Sequence, residues 1–387
     1  MDGFEDYDWS DCDGFDEDYE QDEEDKQDIL YFRKIRYATR FGFLEELKQL
    51  MHSQTFSCPT FRSKWNFFTE IGKTATMLAA DLGQLDILRY LIEEKGAQCD
   101  DTMQVFGMTC TFLAARSGHL HILEYLIDEQ FLEFQEFIRD DSYRTCTMYA
   151  AEYGHLDVLK YLKDKGAKCN KSIRDSCDNT CALLAAIQGH LHVLKYLVDT
   201  KQTICDETNQ YDWSRTRTFA MIAAGEGHLE MLRYLVDTEL AICDDSIRDD
   251  RGRTCAMIAA EGGHSKFFIK IVNQQLVILR YLVEEQGAKC DETIRDNDGM
   301  SCAMIAAMND QLDILRYLLD EKGCRYDDLI RDNKGQTTYD YACLNLSTRI
   351  YMENKIWNTL STIRKKCQPY LDDDAVSVIE SFLFKSS

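Results

Sequence analysis

The sequence predicts an all-α solenoid built by stacking short helix-turn-helix units, and three observations predict it. A small pair, Ala-Ala, begins at Ala79, Ala114, Ala150, Ala185, Ala223, Ala259 and Ala306, with a weaker Ala342-Cys343. The steps between these positions are 35, 36, 35, 38, 36, 47 and 36 residues, and self-similarity at such a period marks a repeat architecture. After each pair come a glycine in most copies, a histidine in five of them, and then an apolar stripe at helical spacing.

Taken in chain order, the first element is an arm. Residues 1–28 hold fifteen acidic side chains interleaved with Phe4, Tyr7, Trp9, Phe15 and Tyr19, too little apolar surface to fold, so a disordered, solubilising segment is expected. Acidic-aromatic alternation also resembles activation or docking segments. Residues 29–68, with Ala38, Gly42 and the helical run from Leu44 to Met51, read as a degenerate capping repeat.

The repeats themselves occupy 69–366, with copies near 69–103, 104–138, 139–174, 175–211, 212–248, 249–295, 296–331 and 332–366. In the third, Thr145 is placed to cap helix one, Ala150 and Ala151 let a neighbour approach, and Gly154 ends the helix in a left-handed conformation. Leu156, Val158, Leu159 and Leu162 give helix two its apolar stripe, which Gly166 closes. Two such helices cannot bury their faces alone and must stack. Copy six carries an insert near 265–275, containing Phe267, Phe268, Ile269, Ile271 and Val272, expected to lengthen helix two; a protruding docking helix is the alternative. Residues 367–387 read as a helical tail with Val376, Ile379 and Leu383 on one face.

Composition narrows the function. A formal charge of −24 speaks against direct nucleic-acid binding. The acidic N-terminus lacks the features of a signal peptide, and no apolar stretch approaches the roughly 20 residues of a membrane helix, so a cytoplasmic or nuclear protein without membrane insertion is expected. The sixteen cysteines are then expected as thiols. They fall in two repeat phases, Cys110, Cys146, Cys181, Cys255 and Cys302 after the cap, and Cys99, Cys169, Cys205, Cys243 and Cys290 after helix two. Paired metal-ligand spacing is missing, so small buried hydrophobes are expected and no metal. His119, His155, His190, His228 and His264 recur after the glycine and are expected to be structural. With no phosphate loop, nucleophile elbow or singular catalytic trio, neither an enzyme nor a cofactor is expected.

The words Gly-x-Thr, Ala-Ala-x-x-Gly-His-Leu and the later Gly-Ala resemble ankyrin repeats over roughly residues 69–366. That resemblance implies β-hairpin fingers between copies, written here as Ile-Arg-Asp-x-x-Gly from Ile294 to Gly299 and from Ile330 to Gly335. Two departures stand out. The family's Thr-Pro-Leu-His is Thr-Cys-Ala-Met at Thr254 to Met257, and the period exceeds the usual value of about 33, a surplus assigned to the fingers.

The resemblance further implies a non-catalytic module that binds a protein on a concave face lined by finger tips and the two residues after Ala-Ala. These map to Val105, Phe106, Met108 and Arg116; Asp141, Arg144, Glu152 and Tyr153; Arg215, Arg217 and Glu226; Asp250, Arg251, Arg253 and Glu261; and Asn297, Met300 and Met308. Among them Arg144, Arg215, Arg217, Arg251 and Arg253 form a basic strip, and Trp213 sits in the finger lengthened by the 38-residue step. Arg and Trp dominate interface energetics, although pairing of the arginines with Asp249, Asp250 and Glu226 is an equal expectation. The acidic arm is a candidate to fold back on the strip. The recurrent tyrosines, Tyr90, Tyr125, Tyr161, Tyr196, Tyr234, Tyr281 and Tyr317, are expected half-buried with hydroxyls at solvent rather than as a stacking ladder for ligands. The segment Leu371 to Leu383 faintly resembles the first helix of an F-box, so a ubiquitin-ligase adaptor is one alternative. A nuclear, transcription-associated scaffold using the arm is another.

Overall fold

A computed structural model describes residues 34–53, 74–97, 108–129, 139–170, 172–201, 209–211, 215–262, 270–326 and 329–367. The arm, Phe106, Trp213, His264 and the segment Leu371 to Leu383 lie outside them. The chain divides into two compact units, Met1–Glu133 and Phe134–Ser387. The first contains a helix over residues 34–41 (α1), α2 (Leu44–Ser53), α3 (Ala75–Asp81), α4 (Leu85–Arg89), α5 (Cys110–Ser117) and α6 (Leu120–Glu124). The second contains α7 (Cys146–Glu152), α8 (Leu156–Asp164), α9 (Cys181–Ile187), α10 (Leu191–Asp199), α11 (Phe219–Glu226), α12 (Leu229–Asp237), α13 (Cys255–Glu261), α14 (Lys270–Arg280), α15 (Cys302–Met308), α16 (Leu312–Arg316), α17 (Thr338–Ala342) and α18 (Leu346–Cys367). Each helix pair repeats the predicted helix-turn-helix, and the fold is an all-α solenoid.

Every first helix starts on a hydroxyl. Thr74, Thr109, Thr145, Thr180, Thr218, Thr254, Ser301 and Thr337 each accept a hydrogen bond from the backbone N–H three residues on, a cap worth about 1 kcal/mol. The cap therefore starts the helix where the family's proline is missing. The first helices pack on one another in series, α3 on α5 in the first unit and α7 on α9, α11, α13, α15 and α17 in turn in the second. All the Ala-Ala pairs from Ala79 to Ala307 are fully buried. A helix with neighbours on both sides has little polar face left, which is why Cys181 to Ala186 are all buried. The second helices keep one wet face and bury only a stripe, Val158, Leu159 and Leu162 in α8.

Part of the surplus period sits in helix two rather than in the fingers. In four copies its last turn is a wide, π-type turn, at Tyr90–Glu94, Tyr125–Glu129, Tyr281–Glu285 and Tyr317–Glu321. There Lys322 N donates to Tyr317 O five residues back (3.0 Å), whereas Lys165 N donates to Tyr161 O four residues back (3.0 Å). The wide copies carry one extra residue, the second acid of Glu93-Glu94 or Glu284-Glu285, and a π-bulge absorbs a one-residue insertion without breaking the helix.

The tyrosines opening these turns are buried, Tyr125 and Tyr317 to 1% exposure, so the half-buried expectation holds only for Tyr161, Tyr196 and Tyr234. The hydroxyl of Tyr125 donates to Glu93 (3.0 Å), that of Tyr317 to Glu284 (3.1 Å) and that of Tyr351 to Asp320 (2.9 Å). The ring faces carry the cation of the preceding copy: Arg89 over Tyr125, Lys195 over Tyr234, Arg233 over Tyr281 and Arg280 over Tyr317, at 4.4–4.8 Å. Three of these arginines also reach the extra acid, Arg89 to Glu129 (2.7 Å), Arg233 to Glu285 (3.1 Å) and Arg280 to Glu321 (2.5 Å). Each cation–π contact is worth about 0.5–1 kcal/mol at such sites.

Where helix two closes without an extra residue, the closing position is left-handed. Gly166 takes it at φ 100°, but Lys201 (φ 55°) and Glu239 (φ 56°) occupy the same place in α10 and α12 copies. A left-handed non-glycine residue costs about 1–2 kcal/mol, partly offset by glycine's greater chain entropy. Lys201→Gly is accordingly expected to raise stability by up to about 1 kcal/mol, read as a higher urea midpoint at unchanged slope.

The copy-six insert lengthens helix two: α14 starts at Lys270, six residues before Leu276, which aligns with Leu229 at the start of α12. Gln275 thereby takes the position that histidine holds in other copies.

Candidate partner-binding surface

The fingers are tighter than the hairpins the resemblance implies. Asp140, Asp175, Asp249, Asp296 and Asp332 each use Oδ1 to accept the backbone N–H groups two and four residues on, at 2.7–3.0 Å. One carboxylate thus replaces the pairing of two strands, as side chains of this type do in turns. Paired strands occur, among the described residues, in the lengthened finger, where Asn209–Tyr211 (β1) runs antiparallel to Arg215–Arg217 (β2) with Tyr211 opposite Arg215.

The arginine of the Ile-Arg-Asp word is a staple. Arg248 Nη1 donates to its own finger at Gly252 O (2.6 Å) and to the next at Arg295 O (2.8 Å). Arg295 repeats this with Gly299 O (2.7 Å) and Arg331 O (2.8 Å), as Arg139 does with Tyr143 O (2.9 Å) and Arg174 O (2.8 Å). Neighbouring tips are joined by Ser176 N to Ser142 O, Asn297 N to Arg251 O and Asn333 N to Asp298 O, each 2.9 Å.

The Gly-His word acts between copies. His119 Nε2 lies 3.1 Å from Asp81 O and His228 Nε2 2.8 Å from Ile187 O, the carbonyl just after the preceding Ala-Ala pair; Gln275 Nε2 donates to Gly225 O in the same way (2.7 Å). The glycine provides the seat: a Cβ on Gly154 (φ +79°) would lie 2.6 Å from the His190 ring, and one on Gly189 2.6 Å from His228.

Burial holds His190 below its ordinary value of 6.5, with His192 acting in the same sense. The folded chain then binds fewer protons than the unfolded one below about pH 6.5, so this contribution is complete above that pH and is lost as pH falls from there toward the depressed folded value. His190→Gln, copying Gln84, Gln275 and Gln311, is expected to flatten the fall of melting temperature between pH 7 and pH 5; an unchanged slope would refute the assignment.

Of the five arginines of the basic strip, Arg144, Arg217 and Arg253 are taken up by carboxylates. Arg144 Nη1 pairs with Glu152 (2.7 Å) and its Nε with Asp175 (3.3 Å). Arg253, 3% exposed, is held by Asp249 (2.6 Å) and Glu261 (2.6 Å), and Arg217, 1% exposed, lies 3.5 Å from the same Glu261. The carboxylates that hold these three arginines include Glu152, Asp175, Asp249 and Glu261, of which Asp249 was expected. Arg116 pairs with Asp81 (3.0 Å) in the first unit. Met300 is buried at 7%, while Met308 is 38% exposed. Arg251 is exposed. Arg215 lies in β2, its side chain outside the described set.

Two aromatic side chains stand at the surface of the third copy. Tyr153 is 50% exposed, and Tyr143 is 63% exposed at the tip of its finger. Tyr143 is left-handed at φ 60°, in the position that Gly252, Gly299 and Gly335 fill elsewhere, and a bulky residue there is a genuine outlier. The signal was present in the sequence as a tyrosine where the finger word asks for glycine.

The two cysteine phases meet at the finger bases, with Cys243 and Cys255 sulfurs 3.5 Å apart. Among the described residues eight of ten free cysteines are buried, and burial pushes the Cys181 and Cys302 thiols up. Cys110 departs from the all-thiol expectation in being disulfide-bonded. Among the described residues no helix is long and apolar enough to cross a membrane, and no group of three or more His, Cys, Asp or Glu could hold a metal ion.

Stacked helix pairs, carboxylate-stapled fingers and a copy-to-copy Gly-His seat define a helical repeat scaffold of the kind that presents a surface to other macromolecules. The family described as Ankyrin repeats (3 copies) matches residues 76–173, 167–240, 182–275 and 267–351, most of the chain, which belongs to the ankyrin-repeat family. Proteins of this family are typically non-catalytic, and their repeats generally mediate protein–protein interaction. No curated protein matches the chain.

Proposed function

We propose that the protein is a non-catalytic recognition module whose second unit binds a protein partner through the exposed finger tips and the residue two after each Ala-Ala pair, with Tyr143 and Tyr153 as its aromatic anchors and Arg251 beside them in the recognition set. One observation carries this reading: a tyrosine is held left-handed and largely exposed at a finger tip where three other copies use glycine. Backbone strain of this kind persists where the side chain is needed, and aromatic anchors supply a disproportionate share of interface energy. The buried arginines support the surface by fixing the fingers from beneath.

Tyr143→Gly separates recognition from folding. Relief of the left-handed strain is expected to raise stability by up to about 1 kcal/mol, while affinity for a captured partner falls about tenfold or more, as loss of an anchor does. A variant that gains stability and keeps full affinity would refute the role of Tyr143.

A further inference from the structure

The chain that joins copy five to copy six begins and ends on a cysteine. Cys243 follows α12 and Cys255 opens α13, and between them runs the finger that Asp249 holds. Cysteines 12 residues apart recur in this way as Cys169 with Cys181 and Cys290 with Cys302, but the thiols do not all face the same group. Cys181 Sγ donates to Thr147 Oγ1 of the preceding copy (3.7 Å). The copy before Cys255 has Ala220 at that place, which offers no side-chain acceptor. Cys255 Sγ donates instead to Cys243 Sγ (3.5 Å).

We propose that Cys243 and Cys255 form a reversible disulfide that closes this finger, a redox site in the second unit. The sulfurs must approach by about 1.5 Å to reach the bond length of about 2.05 Å. The Cys243 side can supply that shift, because it lies in irregular chain, whereas Cys255 is fixed in the first turn of α13. The position after the cap suits such a bond elsewhere in the molecule, since Cys110 in the first unit is disulfide-bonded. Disulfides of this kind are transient and redox-sensing where a compartment is reducing.

Exposure sets the order of the exchange. Cys255 is fully buried, while Cys243 is 8% exposed between the exposed Ile242 and Asp244, so Cys243 is the sulfur that a low-molecular-weight disulfide reaches. Cys243 attacks one sulfur of that oxidant; its S–S bond breaks and the first small thiol leaves with the Cys243 proton. Cys255 then attacks the Cys243 sulfur of the mixed disulfide, and the second small thiol leaves with the Cys255 proton. Two protein thiols are oxidised and one small disulfide is reduced to two thiols. Asp244 and Asp245 beside the entry point favour an uncharged oxidant over an anionic one.

Peptide mapping after acid quenching tests the site on the full chain. The reduced protein is incubated with excess hydroxyethyl disulfide, and the exposed Cys177, converted to a mixed disulfide, reports that the oxidant has acted. A Cys243–Cys255 disulfide is expected at about ten times the yield of a Cys169–Cys181 disulfide. Amides of residues 245–254 should then exchange about tenfold more slowly, because the bond closes their loop, and should recover on adding dithiothreitol. Cys255→Ser should stop at the first step and hold Cys243 as the mixed disulfide. Recovery of Cys243 and Cys255 as thiols once Cys177 is fully converted would overturn the proposal, as would equal yields of the two disulfides or a bond that forms without slowing those amides.

Discussion

Asp249→Ala is expected to destabilise the second unit by about 3–5 kcal/mol, the range for removing one member of a buried charge pair. Its carboxylate is fully buried and accepts four hydrogen bonds, from the Arg251 and Arg253 backbone N–H groups and from Nε and Nη2 of Arg253. The alanine variant would leave Arg253 buried, with Glu261 as the partner remaining, and open the finger on which Asn297 of the next copy is fixed. Solenoid stability is a sum over repeats and their interfaces, so the loss should be local: hydrogen exchange should accelerate first in α13 and α15, with α7 and α9 little changed. Asp250→Ala, at the exposed neighbouring position, should cost less than about 0.5 kcal/mol. Equal effects at 249 and 250 would mean that the finger is not held by its buried carboxylate.

Gly154→Ala carries the second large effect, and it acts between copies. The residue is left-handed and an added methyl group would meet the His190 ring at 2.6 Å, so backbone strain and displacement of the ring add. The expected loss is about 2–3 kcal/mol, combining a left-handed penalty of about 1–2 kcal/mol with overpacking of a tight contact. His190→Ala in the same chain should recover the steric part but not the backbone part. The double variant should therefore be less destabilised than the sum of the two single ones, with a coupling of at least about 0.5 kcal/mol in a denaturant-unfolding cycle. Strict additivity would show that glycine is required at 154 for its conformation alone.

Most of the fold was legible because stacking imposes itself on every copy. The capping hydroxyl, the Ala-Ala pair and the helix-two stripe can be read from one repeat and checked against seven others, and all sit where the periodicity placed them. The extra acid in Glu93-Glu94 and Glu284-Glu285 was equally visible, but a single added residue can enter a loop or a helix. Only the backbone shows that a wide turn took it up, burying Tyr125 and Tyr317.

The site was less legible, because residue type does not state whether a charge is satisfied. Arg217 and Arg253 looked like interface residues by type; Arg253 has its partners four residues behind at Asp249 and eight ahead at Glu261, and the Arg144–Glu152 pair repeats the latter spacing. The staple role of Arg139, Arg248 and Arg295 was hidden because their acceptors are backbone carbonyls, which a sequence does not distinguish. Conversely, Tyr143 is visible in the sequence as a departure from the glycine of the finger word, and the backbone adds that it is left-handed, as Asp178 and the glycines of three other fingers are at that place. Framework positions repeat and are saturated; recognition is expected where a copy departs from its framework at the surface.

The most direct measurement is a quantitative capture experiment with three full-length proteins: the natural chain, a triple variant Tyr143→Gly, Tyr153→Ala and Arg251→Ala, and a control triple variant Asp157→Ala, Glu230→Ala and Asp313→Ala. The control positions share one exposed phase of helix two. Proteins captured by the natural chain are expected to be retained by the control and lost from the finger variant, with both variants folded by circular dichroism. Retention of the same proteins by the finger variant, or their loss from the control, would contradict this expectation.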